Sequence, residues 1–221
     1  MEKNKKTIRI LIADDHKIMR EGLKSLIDKQ GDLEVVGEAE NGREAVKLAE
    51  KLVPDIVLMD VAMPDLNGAE ATKRLLAVQP NLKVLALSMH SDKMFVLNML
   101  KAGAMGYLLK DCAFEELENA IRTVVSKKVY LSPQIAHIVV DDWKCNPEKA
   151  GGESVLPLSD REKEILQLLA EGKSTREIAA KLYVSIKTVD THRRNIMEKL
   201  KVKSVAELTK IAIREGLTSL E

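Results

Sequence analysis

The chain has 221 residues, of which 45% are apolar and 31% are charged, and its formal net charge is +1. This composition is that of a globular protein and excludes a disordered or collagen-like chain. No apolar run is long enough to cross a bilayer, and the length favours two domains over one. The two cysteines, Cys112 and Cys145, lack metal-ligand spacing and are expected to be free thiols.

The first half of the chain alternates between strand-like and helix-like patterns. Strands are expected at 7–13, 33–39, 56–59, 83–87 and 106–109. Helices are expected near 17–29, 42–51, 68–78, 93–102 and 114–127. This alternation predicts a parallel sheet that is covered by helices on both faces.

Four of the expected strands lead into polar groups. Asp60 ends the third strand, and Asp14-Asp15, Ser88 and Lys110 follow the first, fourth and fifth. Because ligands of open α/β sheets bind at the carboxyl ends of the strands, these groups are expected to gather at one edge. Three clustered carboxylates repel one another unless a divalent cation neutralises them, and an all-oxygen site suits Mg²⁺.

Residues 7–127 resemble the receiver domain of two-component response regulators. The resemblance is carried by Asp14-Asp15, Asp60 with Met63-Pro64 and Gly68, Ser88, Tyr107 and Lys110. It implies a flavodoxin-like, doubly wound, five-stranded parallel sheet with strand order 2-1-3-4-5. It also implies that Asp60 accepts a phosphoryl group from a histidine kinase.

The resemblance assigns a role to each polar group of this edge. Asp15, Asp60 and the carbonyl of Ala62 are expected to bind Mg²⁺ directly, and Asp14 through a water molecule. Lys110 and Ser88 are expected to contact phosphoryl oxygens. The ring of Tyr107 is expected to turn from an outward to an inward rotamer. These residues would couple phosphorylation to the surface formed by the fourth helix, fifth strand and fifth helix.

Two other classes of protein share features with the first half of the chain. An aspartyl-phosphate phosphatase of the haloacid dehalogenase type needs a second acid two residues after the nucleophile, where this chain has Ala62. The protein is therefore not expected to be an enzyme, although the phosphoaspartate could hydrolyse on its own. A receiver that acts only as a phosphorylation-independent dimerisation module stays open as the alternative.

The patterns weaken after Lys127. A short helix is expected after Pro133, within 130–140, and 141–157 has the composition of a mobile linker. The expected domains are a receiver at 1–127, a linker with a short helix at 128–157, and a second domain at 158–221.

Serine caps divide the last third into four expected helices. Three capping boxes and a single serine cap are present: Ser159-x-x-Glu162, Ser174-x-x-Glu177, Ser204-x-x-Glu207 and Ser185. They predict helices at 160–171, 175–182, 186–200 and 205–215. The gap of three residues between the second and third helices, 183–185, indicates a helix-turn-helix.

This region is also basic. Between Lys173 and Lys203 there are nine Lys and Arg residues against three acids, the pattern of a nucleic-acid-binding module. It resembles the LuxR-type DNA-binding domain, which places the chain in the NarL/FixJ group. The motifs that carry this resemblance are Leu158-Ser159-x-Arg161-Glu162, Glu177-Ile178-Ala179, Thr188-Val189-x-x-His192 and Asn195-Ile196-x-x-Lys199-Leu200.

Helical geometry predicts which face of 186–200 reads DNA. Val189, Ile196 and Leu200 form one stripe, which is expected to be buried. The family's base-reading positions fall on Asp190, Thr191 and Arg194, away from that stripe. The expected phosphate contacts are Lys187, Thr188, Arg176, Lys199 and Lys203. Relatives usually have glycine at Lys201, so the end of this helix is left open by the sequence.

The two resemblances together imply the partners. They are a cognate histidine kinase, double-stranded DNA, RNA polymerase, and a second copy of the chain, since a symmetric dimer matches paired operator half-sites. A basic start is followed by an apolar stretch that contains Arg9 and soon meets Asp14-Asp15, so no signal peptide is expected. The protein is expected to act in the cytoplasm without a membrane partner.

Overall fold

The computed structural model describes residues 7–145 and 156–219. Its first domain is built on a parallel sheet of six strands in the order β2-β1-β3-β4-β5-β6. The strands are β1 Ile8–Ala13, β2 Leu33–Ala39, β3 Ile56–Asp60, β4 Lys83–Ser88, β5 Gly106–Leu109 and β6 Tyr130–Leu131. The doubly wound parallel class and the order of the first five strands are as expected.

The expectation of five strands is wrong. The sixth, β6, pairs in parallel with β5, with Tyr130 opposite Gly106 and Leu131 opposite Tyr107. A strand of two residues is too short to produce an alternating pattern, so periodicity could not reveal it. The backbone hydrogen bonds of the β5 edge hold it, since Tyr130 N donates to Met105 O at 3.0 Å.

Helices cover both faces of the sheet. They are α1 Lys17–Ile27, α2 Gly42–Leu52, α3 Gly68–Val78, α4 Lys93–Lys101 and α5 Phe114–Val125. The first and last of these pack on one face, where Ile27 and Ile121 join a buried cluster. The other three pack on the opposite face, with Ala49, Leu75 and Met99 in its cluster. Strand residues are therefore buried on both sides, as a parallel sheet requires.

The predicted linker contributes a helix to this domain as well as β6. Helix α6, Pro133–Cys145, starts at the expected proline but runs five residues beyond the expected end at 140. Ile135 is fully buried on the side of α4, and Ile138 and Val139 pack against the same cluster. The remainder of the predicted linker, 146–155, lies outside the described residues.

The second domain consists of four helices, as expected. They are α7 Asp160–Ala170, α8 Thr175–Leu182, α9 Ile186–Leu200 and α10 Val205–Arg214. All three capping boxes are present, and Ser185 accepts a hydrogen bond from Thr188 N. Helix α9 ends at Leu200 because Lys201 adopts the left-handed conformation, with φ 54°, that a glycine would adopt at less cost.

Candidate functional site

The carboxyl edge of the sheet contains a buried cluster of charges. Lys110 Nζ lies 2.8 Å from Asp14 Oδ2 and 2.8 Å from Asp60 Oδ2. The side chains of these three residues are at most 4% exposed. One ammonium thus sits between two carboxylates, in a setting where water screens their charges poorly.

Gly68 shapes the backbone around Asp60. A β-carbon at Gly68 would lie 2.1 Å from the carbonyl oxygen of Asp60, so only glycine allows α3 to begin this close to β3. The Gly68 amide also donates to Val61 O at 3.0 Å. This glycine therefore fixes the position of the β3–α3 loop, which carries Ala62.

Burial and neighbouring charges act on both partners of the central ion pair. Burial raises the pKa of Asp60 above its usual range, Lys110 opposes this, and the charge of Asp14 adds to the rise. Burial lowers the pKa of Lys110, but Asp60 and Asp14 outweigh it, so the pKa of Lys110 lies above its usual value. Lys110 is therefore a permanent cation in this pocket.

The pocket has the donor atoms of a divalent cation site. Potential ligand atoms of Asp14, Asp15, His16 and Asp60 all lie within 4.8 Å of one another. Asp15 Oδ1 is buried and has no hydrogen-bond partner within the described residues. Clustered carboxylate oxygens are the ligands that Mg²⁺ prefers, so these residues fit Mg²⁺. No role was expected for His16, although it directly follows Asp14 and Asp15 in the sequence.

Ser88, His90 and Tyr107 form a hydrogen-bonded group next to this pocket. Ser88 Oγ accepts from His90 N at 3.0 Å, and the Tyr107 hydroxyl donates to His90 O at 2.8 Å. The Tyr107 ring is fully buried, and burial raises the pKa of its hydroxyl. The ring therefore already points inward here, whereas the expected switch begins from an outward rotamer.

The face of α9 that was expected to read DNA is exposed. Lys187, Asp190, Thr191 and Arg194 are all exposed. Of the opposite stripe, Val189 and Ile196 are fully buried and Leu200 is partly buried. Arg176 and Lys203 are also exposed. Bases and phosphates can thus be reached from this side of the second domain.

Two of the expected phosphate contacts have partners within their own domain. Lys199 Nζ lies 2.8 and 2.7 Å from the two carboxylate oxygens of Glu162, which also completes the capping box of α7 with Ser159. Thr188 Oγ1 lies 2.8 Å from Ser185 Oγ. Lys199 thus joins α9 to α7, and Thr188 contacts the serine that caps its own helix, roles that were not expected for these residues.

The second domain packs against the first through the side chain of Gln167 on α7. Its amide oxygen accepts from the backbone and side-chain nitrogens of Asn67, both at 3.1 Å, and its nitrogen donates to Met63 O at 3.0 Å. Asn67 is also the residue that caps α3. The loop that follows Asp60 is therefore held by the second domain.

A buried carboxylate forms a second interdomain contact. Glu164 on α7 is bound by Arg43 of α2, Arg74 of α3 and Arg161 of its own helix. Burial alone would raise the pKa of Glu164, but the three guanidinium groups outweigh burial, so its pKa lies below the usual range. The carboxylate is therefore ionised and fully paired in this arrangement.

The second domain also borders the acidic pocket. A cleft of about 320 Å³ has Asp15 and Ala62 on one wall and Glu171 and Lys173 on the other. A molecule that approaches Asp60 from this side meets both domains. Sequence patterns carry no information on this contact, because it joins residues more than a hundred positions apart.

The sequence and the fold define the class of this protein. Residues 10–122 match the response regulator receiver domain, and residues 156–212 match the luxR family of bacterial regulatory proteins. The chain belongs to the response regulators with a LuxR-type DNA-binding domain, which are regulators of transcription. In the described residues, no helix combines the length and the apolar character that crossing a membrane requires.

Individual relatives match over almost their full length. The chain is 37% identical to the transcriptional regulatory protein DegU of Brevibacillus brevis, with 96% of both chains covered. It is 38% identical to the oxygen regulatory protein NreC of Staphylococcus carnosus, with 95% of this chain and 99% of NreC covered.

Solved structures agree with this assignment. The response regulator ChrA of a heme-sensing two-component system matches with a TM-score of 0.52 and 34% identity, over 96% of this chain and 98% of ChrA. RcsB from Salmonella enterica serovar Typhimurium, bound to the promoter rprA with the phosphomimetic BeF3-, matches with a TM-score of 0.59 and 28% identity. That match covers 92% of this chain and 97% of RcsB.

Proposed function

We propose that a histidine kinase phosphorylates Asp60, and that this modification controls dimerisation and sequence-specific DNA binding. The observation that carries the proposal is the position of Lys110, whose ammonium lies 2.8 Å from both Asp14 and Asp60. A fixed cation beside a carboxylate can bind an oxygen of an incoming phosphoryl group. The same set of buried charges has no evident value for stability, since buried ion pairs often contribute little.

The reaction transfers a phosphoryl group from a histidine nitrogen of the kinase to the carboxylate of Asp60. A carboxylate oxygen of Asp60 forms a bond to phosphorus as the bond from phosphorus to the imidazole nitrogen of the kinase breaks, and the electron pair of that bond stays on the nitrogen. Lys110 binds one phosphoryl oxygen, and the hydroxyl of Ser88 donates to another. Both groups are held before the donor arrives, so little reorganisation accompanies the transfer.

The acidic residues provide the site for Mg²⁺. Asp15, Asp60 and the carbonyl of Ala62 would hold the ion directly, and Asp14 would hold it through water. When bound, Mg²⁺ supplies charge that offsets the negative charge of the transferring phosphoryl group. Asp14 also contacts Lys110, and so it keeps the ammonium oriented toward Asp60.

Phosphorylation then acts through β4 and the loop that follows it. A bond from Ser88 to the phosphoryl group draws the backbone of His90 along with it, because His90 N is bound to Ser88 Oγ. Tyr107 follows, since its hydroxyl is bound to His90 O. The change thereby reaches the surface formed by α4, β5 and α5, where partners can detect it.

The output is transcription control in the cytoplasm through double-stranded DNA and RNA polymerase. Asp190, Thr191 and Arg194 contact bases, and phosphates are contacted by Lys187, Thr188, Arg176, Lys199 and Lys203. A homodimer presents two such faces to paired half-sites. Helix α10 supplies part of the dimer surface through Val205 and Ile213, which are only partly buried in the isolated chain.

Intact-mass measurement after incubation with acetyl phosphate and Mg²⁺ tests the acceptor. We expect one phosphoryl group on the protein and none on Asp60→Asn. Asp55→Asn, at the opposite end of β3, is the matched control and should be labelled normally. Phosphorylation that persists in Asp60→Asn would disprove the assignment.

Light scattering with and without BeF3- tests dimerisation in the same proteins. The wild type should shift from monomer to dimer, and Asp60→Asn should stay monomeric. A dimer in both proteins under all conditions would instead support the phosphorylation-independent module.

A further inference from the structure

One residue breaks the apolar stripe of α1. The buried residues of this helix are Arg20, Leu23 and Ile27, which lie three and four positions apart and therefore face the sheet together. Arg20 is only 5% exposed. Burying a guanidinium group costs free energy that an apolar side chain would not cost, so stability does not explain an arginine at this position.

The guanidinium group joins the residue after β1 to the residue after β2. Its Nη1 donates to the carbonyl oxygen of Asp14 at 2.7 Å, and its Nη2 donates to Glu40 Oε1 at 2.7 Å. Glu38 Oε2 lies 3.9 Å from its Nε. The two glutamates offset the charge of Arg20, so little of its field is left to repel a cation in the acidic pocket.

The bond to Asp14 fixes the peptide group that leads into Asp15. Strand β1 ends at Ala13, and the amide of Asp14 still donates to Ala39 O at 3.1 Å. The carbonyl of Asp14 lies beyond the paired residues of the two strands, and Arg20 supplies its donor. Because a peptide group is planar, holding this oxygen also sets the positions of the nitrogen and α-carbon of Asp15.

We propose that Arg20 is a positioning residue of the acidic pocket, which holds Asp14 and Asp15 in the arrangement that receives Mg²⁺ before the ion arrives. Arg20 touches neither the ion nor the phosphoryl group, and acts through the backbone of Asp14. Without it, the loop between β1 and α1 must be ordered on binding, and this weakens the affinity for the ion. The inference rests on the proposed function in taking Asp15 as a direct ligand.

Arg20→Met tests this role, because methionine fills a similar space in the apolar stripe and cannot donate a hydrogen bond. A Mg²⁺ titration followed by the backbone amide signals of residues 14–16 should give a dissociation constant about tenfold higher than that of the wild type. The amide of His16, which donates to Asp14 Oδ1 at 2.9 Å, should exchange its hydrogen faster in the variant.

The kinetics of phosphorylation distinguish positioning from general damage to the fold. In Arg20→Met, the Mg²⁺ concentration that gives half the maximal rate of labelling by acetyl phosphate should rise by the same factor. The rate at saturating Mg²⁺ should stay within about twofold of the wild type. The urea midpoint should not fall, because removal of a buried charge offsets the lost hydrogen bonds.

Two further variants complete the experiment. Arg20→Lys keeps a charged donor and should give an intermediate Mg²⁺ affinity, and it carries the test if the methionine variant unfolds. The matched control is Lys24→Met, one turn further along α1, which removes an ammonium group that pairs with Glu38 at 2.8 Å on the surface. That variant should change neither the Mg²⁺ affinity nor the exchange of the His16 amide.

Unchanged Mg²⁺ affinity in a folded Arg20→Met protein would overturn the proposal. Tighter binding would also overturn it, because it would show that Arg20 acts as a repelling charge. A wild-type protein that binds Mg²⁺ but takes up no phosphoryl group on Asp60 would instead contradict the proposed function, and the titration would still decide the role of Arg20.

Discussion

Arg194 and Lys187 lie on the same exposed face of α9 but are expected to act on DNA in different ways. Arg194→Ala should cost about 1–3 kcal/mol of specific binding and relax the preference at one base pair, if the guanidinium binds guanine through two hydrogen bonds. Lys187→Ala should weaken binding to all sequences alike and lower the salt slope by about one, because a phosphate contact carries no sequence information.

Binding titrations against an operator and a scrambled duplex, at two salt concentrations, separate the two effects. Lys47→Ala, on α2 of the receiver and far from the DNA-reading face, is the control and should change neither quantity. If Arg194→Ala lost equal affinity for both duplexes, the face assigned to the major groove would be wrong. The excess of basic residues between 173 and 203 would survive that result, since it predicts attraction to DNA without naming the residues that read it.

At the scale of elements, α6 belongs to the packed core of the receiver. Ile135→Ala should destabilise the receiver by about 2–4 kcal/mol, because it removes a fully buried side chain and leaves a cavity. Val140→Ala, on the exposed side of the same helix, should change stability by less than about 0.5 kcal/mol. Denaturant unfolding followed by far-ultraviolet circular dichroism measures both. Equal stabilities of the two variants would show that α6 does not contribute to the packed core of the receiver.

The elements that sequence predicted well are those with strong local signals. The capping serines placed the starts of α7, α8, α9 and α10, and the apolar runs placed the first five strands. Strand β6 was missed because its two residues depend on the exposed edge of β5, which is a tertiary feature. The expectation that polar groups at strand ends gather at one edge of the sheet is confirmed for Asp14, Asp60 and Lys110. That expectation did not include His16, because the position of its side chain depends on how the chain enters α1.

At the scale of the whole molecule, Gln167 joins the two domains by hydrogen bonds to Asn67 and Met63. Gln167→Ala should loosen the packing of the domains, because it leaves the backbone N–H of Asn67 and the carbonyl of Met63 without these partners, at about 1–3 kcal/mol each. Small-angle scattering should show a larger radius of gyration. Phosphorylation by acetyl phosphate should become several-fold faster, because the wall formed by Glu171 and Lys173 moves away from the acidic pocket.

The control for this variant is Gln79→Ala, which removes a glutamine that binds Ala49 O within the receiver. It should alter neither the radius of gyration nor the rate of phosphorylation. A Gln167→Ala protein as compact as the wild type would contradict the expectation, whatever its rate. Affinity for a single half-site should be unchanged in both variants, since the reading face of α9 is exposed while the domains are packed.

That exposure determines how promoter architecture sets the sensitivity to signal. A ligand that binds two conformations equally well shifts neither, however tightly it binds. Under the proposed function a lone half-site is such a ligand, so it would be occupied at the same level with or without phosphorylation. Paired half-sites bind only the arrangement that places two domains side by side, and they therefore favour that arrangement by mass action. The spacing of sites on the DNA, and not the sequence of each site, would then decide which genes respond to the kinase and which ignore it.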